Sequence, residues 1–169
     1  MAFADRAAFP AVAAFLPLPL FQPILAYIVR RIADNHHEMF DRLGPHRNAT
    51  FVIDPVDIPF VLLLRPDPGR PVFRAAPRAA IPRHDAMIAG RFLTLLQLVD
   101  AGADGDALFF SRALTVTGNT EAVVCLRNAL DDIEGSIAVD VANLFGPPGR
   151  FALARLREAA ARAEARNGG

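Results

Sequence analysis

The chain has no lysine and a single cysteine among its 169 residues. All eighteen basic residues are arginine, which fits either a genome-wide codon bias or selection for the bidentate phosphate contacts that arginine makes. A lone cysteine excludes an intrachain disulfide and a cysteine-based zinc cluster. Cys125 lies among Val123, Val124 and Leu126 with no histidine near it in the sequence, which favours a small buried hydrophobic residue over a reactive thiol.

Recognisable catalytic motifs are also missing. The sequence has no Gly-rich phosphate loop, no nucleophile elbow and no cysteine redox pair. Ser111 and Ser136 have no base arrangement beside them. Asp131, Asp132 and Glu134 form an acidic cluster, but neighbouring carboxylates on a helix point in different directions, so a solvated surface is the simpler interpretation. We therefore predict a protein that is not an enzyme and that carries no cofactor.

The charge balance is even, with 18 basic and 18 acidic residues, so no overall field favours nucleic acid. Between residues 64 and 92 the basic residues nevertheless dominate. This cluster is interpreted either as a charged sheet edge or as a cationic rim for an anionic lipid head group or a membrane surface. Aromatic residues are not interleaved with it as RNA binding would require. Its members are Arg65, Arg70, Arg74, Arg78, Arg83 and Arg91.

Histidines and carboxylates cluster between residues 36 and 46, which raises the question of a metal site. In a helix, however, His36 points about 100° away from His37, and no H-E-x-x-H motif is present. We expect His36 to be half-buried and His37 to lie on the surface, without a metal. An enzymatic alternative would need a site gathered in space from distant residues such as His36, His84 and Asp85.

Hydrophobic residues make up 53% of the chain, slightly above the usual share. The length predicts one domain that is large enough to bury a core. The apolar surplus indicates either a lipid-facing surface or a ligand cavity.

The N-terminal arm, residues 1–20, overlaps a charge-free run over residues 7–29. The run is long enough to span a membrane, but four prolines would interrupt one spanning helix. Asp5 and Arg6 cancel where a secretory signal would be positive, so we expect a cytoplasmic location, with membrane association as an alternative. The arm either packs on the domain or forms a lid or a peripheral membrane contact. The prolines are Pro10, Pro17, Pro19 and Pro23.

Helical periodicity predicts a short helix near residues 3–15 and a break at residues 16–19. A long amphipathic helix then starts with Pro23 in its first turn and ends at Gly44-Pro45. Residues 91–100 form a helix that is apolar nearly all round, which must therefore be covered on most sides. Strand patterns occupy residues 50–54, 58–64, 71–76, 85–89 and 113–117, and the short turns between the first three favour antiparallel pairing.

Residues 104–134 hold three signals in a row. A short aromatic-bearing helix near Phe109 and Phe110 is followed by the strand at residues 113–117 and then, after Gly118-Asn119, by an apolar-faced helix. This stretch resembles the C-terminal half of the sterol carrier protein type two (SCP-2) domain, especially bacterial members that act as accessory factors in ubiquinone biosynthesis. The matching residues are Asp106, Leu108, Phe109, Phe110, Arg112, Leu114, Val116, Gly118, Thr120, Glu121, Asn128, Asp132, Ile133 and Glu134.

The resemblance implies an α+β fold, with a five-stranded, mainly antiparallel sheet covered by helices and an apolar cavity between them. The lipid-binding domain would span residues 21–146. Residues 147–169 would form an Ala/Arg-rich helix, docked by its first turns only, and a disordered tail, after a firm break at residues 146–149. The implied cavity lining is Phe92, Leu95, Leu96, Val99, Phe109, Phe110, Val123, Leu126 and Leu130.

The function that the resemblance implies is a non-catalytic lipid-binding accessory protein. Such a protein would hold an isoprenoid-quinone (ubiquinone) precursor, or a related lipid, and present it to biosynthetic enzymes, with the oxygen-independent pathway as the expected context. Its partners would be that polyprenyl-quinone intermediate, ubiquinone biosynthesis enzymes and a peripheral membrane surface. The alternative is a protein-interaction module with a solid core and no cavity.

Overall fold

A computed structural model describes residues 18–100, 113–131, 133 and 136–167. Its five strands form one sheet in the order β3-β2-β1-β4-β5. The central strand β1 pairs with β4 in parallel, and the other three pairs are antiparallel. This confirms the predicted α+β class and the mainly antiparallel sheet. The strands are β1 Phe51–Pro55, β2 Phe60–Arg65, β3 Val72–Pro77, β4 Ala86–Gly90 and β5 Leu114–Gly118.

Both faces of the sheet are apolar. Strand register pairs Ile53 with Leu62 of β2 and with Ile88 of β4, and directly paired residues of neighbouring strands point to the same face of the sheet. That face carries the largest core cluster, which extends into the covering helices. On the opposite face Val52 and Val61 belong to a separate buried cluster.

Six α-helices occur in the described residues, together with 3-10 turns at Gly44–His46 and Arg78–Ala80. No helix in these ranges combines the length and the hydropathy that crossing a bilayer requires. The predicted helix near residues 3–15 and the aromatic one near Phe109 lie outside the described residues. The helices are α1 Leu18–Asn35, α2 Glu38–Leu43, α3 Phe92–Gln97, α4 Thr120–Asp131, α5 Ile137–Leu144 and α6 Gly146–Asn167.

The predicted single helix from Pro23 to Gly44 is wrong at its start and in its middle. Helix α1 begins at Leu18 and keeps Pro23 inside it, although proline removes one helical hydrogen bond. Packing of Leu18 and Phe21 against the cluster around Phe60 offsets that loss, and Gln22 Nε2 donates a 2.7 Å bond to the carbonyl of Ala75 on edge strand β3. The helix then breaks at residues 36 and 37, after which α2 packs on α4.

Helix α4 starts where the sequence predicts. Gly118 has a φ of +82°, a conformation that favours glycine, and it turns the chain out of β5. Asn119 then caps the helix, because its Oδ1 accepts a 3.0 Å bond from the amide of Ala122. Ala122, Val123 and Leu126 are buried on the face that meets the sheet.

The C-terminal helix differs from its prediction. Residues 146–149 are not a break but the first turn of α6, where proline costs no helical hydrogen bond. Gly149 packs so close to the carbonyl of Ala142 that a side chain there would clash. Its lack of a side chain therefore lets the start of α6 lie close against α5. Contacts continue to Glu164, which accepts a 2.6 Å bond from Gln97 of α3, so docking extends well past the first turns.

Candidate functional site

An apolar cavity of about 170 Å³ lies between the sheet and the helices. Its sixteen lining residues come from helices α1 to α5, from the four strands β1 to β4 and from the segments that adjoin them. Every one of these side chains is apolar. They are Ile28, Val29, Ile32, Met39, Phe40, Ile53, Leu64, Pro66, Phe73, Ile88, Leu95, Leu98, Val99, Leu126, Leu130 and Ile137.

Element geometry explains why these residues meet. Ile53 and Ile88 are neighbours across the parallel pair of β1 and β4 and form part of the cavity floor. Ile28 and Ile32 are four residues apart on α1, and Leu126 and Leu130 are four apart on α4. Residues at that spacing share one helix face, so each helix presents a pair of side chains to the cavity.

The chemistry of this cavity is exclusion of water. The cavity is partly open, and its apolar walls offer water no hydrogen-bond partner. An apolar cavity of roughly 150 Å³ is large enough for one ring-sized apolar guest. The volume of about 170 Å³ is smaller than the roughly 300–1,000 Å³ of pockets for drug-sized ligands. The cavity as it stands therefore accommodates a ring or a short alkyl segment rather than a whole long-chain lipid.

Four residues of the predicted lining contact the cavity, namely Leu95, Val99, Leu126 and Leu130. Three others lie elsewhere. Phe92 packs on the cluster of Ile58, Phe60 and Ala75, Leu96 packs on the cluster of Ala138, Ala142 and Leu153, and Val123 is fully buried in the main core. Phe109 and Phe110 lie outside the described residues.

Sequence reasoning left out the contribution of α1, α2 and the strands to this cavity. The helical periodicity did mark part of this lining as an apolar face of the predicted long helix. The residues of that face that line the cavity are Ile28, Val29, Ile32, Met39 and Phe40. That face was expected to cover the sheet as ordinary core. Periodicity shows which face is buried, whereas the void between that face and the sheet depends on how closely the layers approach.

The candidate histidines and Asp85 do not form one site but make separate contacts. His36, which is 9% exposed, has its Nε2 2.8 Å from Asp140 Oδ2 and its Nδ1 3.7 Å from Glu38 Oε1. His84 Nδ1 lies 2.8 Å from the Pro82 carbonyl, and Asp85 accepts a 2.7 Å bond from the Thr50 amide. Within the described ranges, no group of three or more His, Cys, Asp or Glu residues has an arrangement that could hold a metal.

The arginine cluster does not act as one surface. Arg78 is committed to the fold, because its Nη1 lies 2.6 Å from Asp54 Oδ1 and its Nη2 donates to the carbonyls of Pro55 and Ile58. Arg70 instead lines a polar pocket beside the apolar cavity. Arg70 and Arg78 therefore have different environments despite their proximity in the sequence.

Comparison with known proteins gives one family match. The model of the SCP-2 sterol transfer family matches residues 30–131, more than half of the chain. These residues include all five strands and helices α2, α3 and α4. A search of curated proteins gives no significant match.

Several solved structures are similar at low sequence identity. One described as "UbiJ-SCP2 Ubiquinone synthesis protein" has a TM-score of 0.48 and 18% identity, covering 78% of this chain and 93% of its own. Sterol carrier protein 2 of Yarrowia lipolytica in its apo form has a TM-score of 0.44 and 14% identity, covering 67% and 88%. Sterol carrier protein domain 2 of Helicoverpa armigera, a solution structure, has a TM-score of 0.43 and 10% identity, covering 69% and 90%.

Proposed function

Because the chain belongs to the SCP-2 sterol transfer family, we propose that it is a non-catalytic lipid carrier that holds its cargo in the cavity between sheet and helices. The observation that carries the proposal is the uniform lining, in which all sixteen side chains are apolar. Transfer of an apolar group from water into such a site stabilises the complex by about 0.8 kcal/mol for each buried methylene. Binding of this kind requires no catalytic motif.

The cargo that we propose is an isoprenoid-quinone precursor, in particular one of ubiquinone biosynthesis, or a related lipid. Support comes from the resemblance of residues 104–134 to bacterial ubiquinone accessory factors and from the size of the cavity, which suits a ring or a short branched segment. The carrier would present this molecule to ubiquinone biosynthesis enzymes, in the oxygen-independent pathway. A longer tail would need the helices to move away from the sheet.

Cargo delivery also needs a place where the lipid is exchanged, and we propose that α1 contacts the membrane surface. Leu20, Ile24 and Tyr27 recur at steps of four and three on this helix and are 56%, 43% and 46% exposed. Arg30 and Arg31 follow within about one turn and suit anionic lipid head groups. Aromatic rings such as that of tyrosine prefer the interfacial region of a bilayer.

The alternative function, an interaction module with a solid core, predicts a filled interior. A void of about 170 Å³ with an entirely apolar lining favours the carrier instead. The exposed residues of α1 suit a docking role under either function. The cavity therefore discriminates between the two hypotheses better than the surface does.

Native mass spectrometry with lipid extraction tests the carrier function on the intact chain. Purified protein should carry lipid or bind added prenylated phenols, and Leu130→Trp should abolish binding because the indole ring occupies the cavity. Val124→Trp is the matched control, since Val124 lies on the same helix but is 40% exposed.

Overpacking of a core costs about 1–3 kcal/mol, so thermal unfolding must show that Leu130→Trp is folded, and Leu130→Phe serves as a milder variant. Absence of co-purifying lipid, together with no binding of added prenylated phenol or phospholipid, would disprove the carrier function. Binding that is unchanged in both Leu130 variants would show that the lipid lies elsewhere.

A further inference from the structure

A second pocket, polar in character and about 320 Å³ in volume, lies between α1 and the turn that joins β2 to β3. Charged side chains reach it from both sides, Arg30 and Asp34 from the helix and Arg70 from the turn. The remaining lining residues are Ala33, His37, Pro68, Gly69 and Pro71.

This polar pocket adjoins the apolar cavity along both of its walls. On α1, Ile32 lines the cavity and the next residue, Ala33, lines the polar pocket, a step of about 1.5 Å along the helix axis. On the hairpin, Pro66 lines the cavity, whereas Pro68 lines the polar pocket. The same change from polar pocket to apolar cavity occurs where the chain enters β3, because Pro71 lines the polar pocket and Phe73 lines the cavity.

The two arginines of this pocket are available to a ligand. Arg30 and Arg70 are exposed, and in the described part of the chain neither makes an ion pair, unlike Arg78 and Arg157. Asp34 follows Arg30 by four residues but does not lie within ion-pair distance of it. Two arginines against one aspartate leave one net positive charge when His37 is neutral.

We propose that Arg30 and Arg70 form a subsite for the anionic head of an amphiphile, a phosphate or a carboxylate, whose apolar part occupies the adjoining cavity. This inference rests on the proposed carrier function and specifies the class of its cargo. The planar guanidinium forms paired hydrogen bonds with carboxylate and phosphate oxygens, and arginines on opposite walls can contact one head from two sides. The carboxylate of Asp34, which lines the pocket from α1, would repel additional negative charge on the head group.

The subsite also has a predictable salt dependence. Because both arginines are exposed, their attraction for the head group is screened as ionic strength rises. Burial of the apolar part is not weakened by salt in this way. The preference for an anionic head over a neutral one should therefore shrink in high salt, while binding of a neutral amphiphile persists.

Calorimetric titration of the intact protein with hexanol, hexanoate and hexyl phosphate tests the subsite, because the three probes share one short tail that suits the cavity. We expect the anionic probes to bind about tenfold more tightly than the alcohol at low salt, the equivalent of one charge-assisted hydrogen bond. Arg30→Gln combined with Arg70→Gln should remove that preference and leave hexanol binding unchanged. Arg47→Gln is the matched control, because Arg47 is an exposed arginine that does not line the pocket.

The possible outcomes separate the subsite from the carrier function. Equal affinity for all three heads, with binding still abolished by Leu130→Trp, would overturn the subsite and keep the carrier. Failure of all three amphiphiles to bind would overturn both. A third outcome is that inorganic phosphate binds as tightly as the alkyl phosphate, both with and without Leu130→Trp. That result would identify a site for free anions and overturn the subsite as part of lipid binding.

Discussion

Asp100 and Arg157 form a two-bond ion pair that fastens the C-terminal helix to the chain just after α3. Arg157 Nε lies 2.7 Å from Asp100 Oδ2, and Arg157 Nη2 lies 2.6 Å from Asp100 Oδ1. Ser136, the N-cap of α5, donates a 3.0 Å bond to the same carboxylate. Since Val99 precedes Asp100 and Ile137 follows Ser136, this pair holds two parts of the cavity wall together.

Arg157→Gln should lower the free energy of unfolding by about 1.5 kcal/mol. Asp100 is only 9% exposed and would lose both bonds from the guanidinium, while the half-exposed position of Arg157 limits the effect. The hydrogen bond with Asp100 raises the pKa of Arg157, so the guanidinium keeps its positive charge. Urea unfolding measures the change.

The matched control for that experiment is Arg162→Gln on the same helix. Arg162 has a 64% exposed side chain and makes a surface ion pair with Glu158, so its loss should cost no more than about 0.5 kcal/mol. Equal destabilisation by the two substitutions would contradict a specific role for the pair with Asp100.

Gly118→Ala should destabilise the protein by about 2 kcal/mol or more. The φ of +82° is strained for alanine, and the added methyl would clash with the carbonyl of Asp85, which accepts a 2.8 Å bond from the Asn119 amide. Thermal unfolding measures the effect. Gly69→Ala is the control, because a methyl there meets Asp67 Oδ1 at an ordinary 3.6 Å, and a comparable loss in that variant would refute the explanation.

Asn119→Ala should cost about 1 kcal/mol, because the Ala122 amide loses its cap. Asn119→Asp should retain most of the stability, since its carboxylate can accept the same bond and suits the helix N-terminus. Denaturant unfolding of both variants checks the prediction. Equal losses in alanine and aspartate variants would point to some contact of Asn119 other than the cap.

Replacement of both Leu20 and Ile24 by serine should weaken vesicle binding at least about tenfold, because the apolar face of α1 would no longer insert. Co-sedimentation with anionic and zwitterionic vesicles measures it, and the anionic vesicles should bind better through Arg30 and Arg31. Phe151→Ser, at a 64% exposed position on α6, is the control and should bind as the intact chain does. Unchanged binding by the double variant would contradict a membrane contact through α1.

Local patterns predicted the strands well because each strand carries its own alternation and turn signals. Residues 113–117, with Leu114 and Val116 on one face, became β5 shifted by one residue. The start of α4 was equally local, since Gly118 and Asn119 supply the turn and the cap. Helix ends were less well predicted where tertiary packing outweighed proline, as at the beginning of α1 and in the first turn of α6.

The candidate site was predicted only in part for a related reason. Leu126 and Leu130 share a helix face that periodicity reveals, and both line the cavity. Val123 lies on that same helix and is fully buried in the core instead. Periodicity reports burial, but it does not distinguish a side chain that meets another side chain from one that borders a void.

The amino-acid sequence by itself determined the five strands and the lack of a recognisable catalytic motif, because these depend on residue types and on spacing along the chain. The α+β class followed from the resemblance of residues 104–134 to a known family. Only the tertiary structure decided that the face of α1 lines a cavity and that Arg30 and Arg70 meet at its edge. Those two arginines are forty residues apart in the sequence. Proximity across such a distance is set by strand pairing and by helix packing against the sheet, which no local pattern contains.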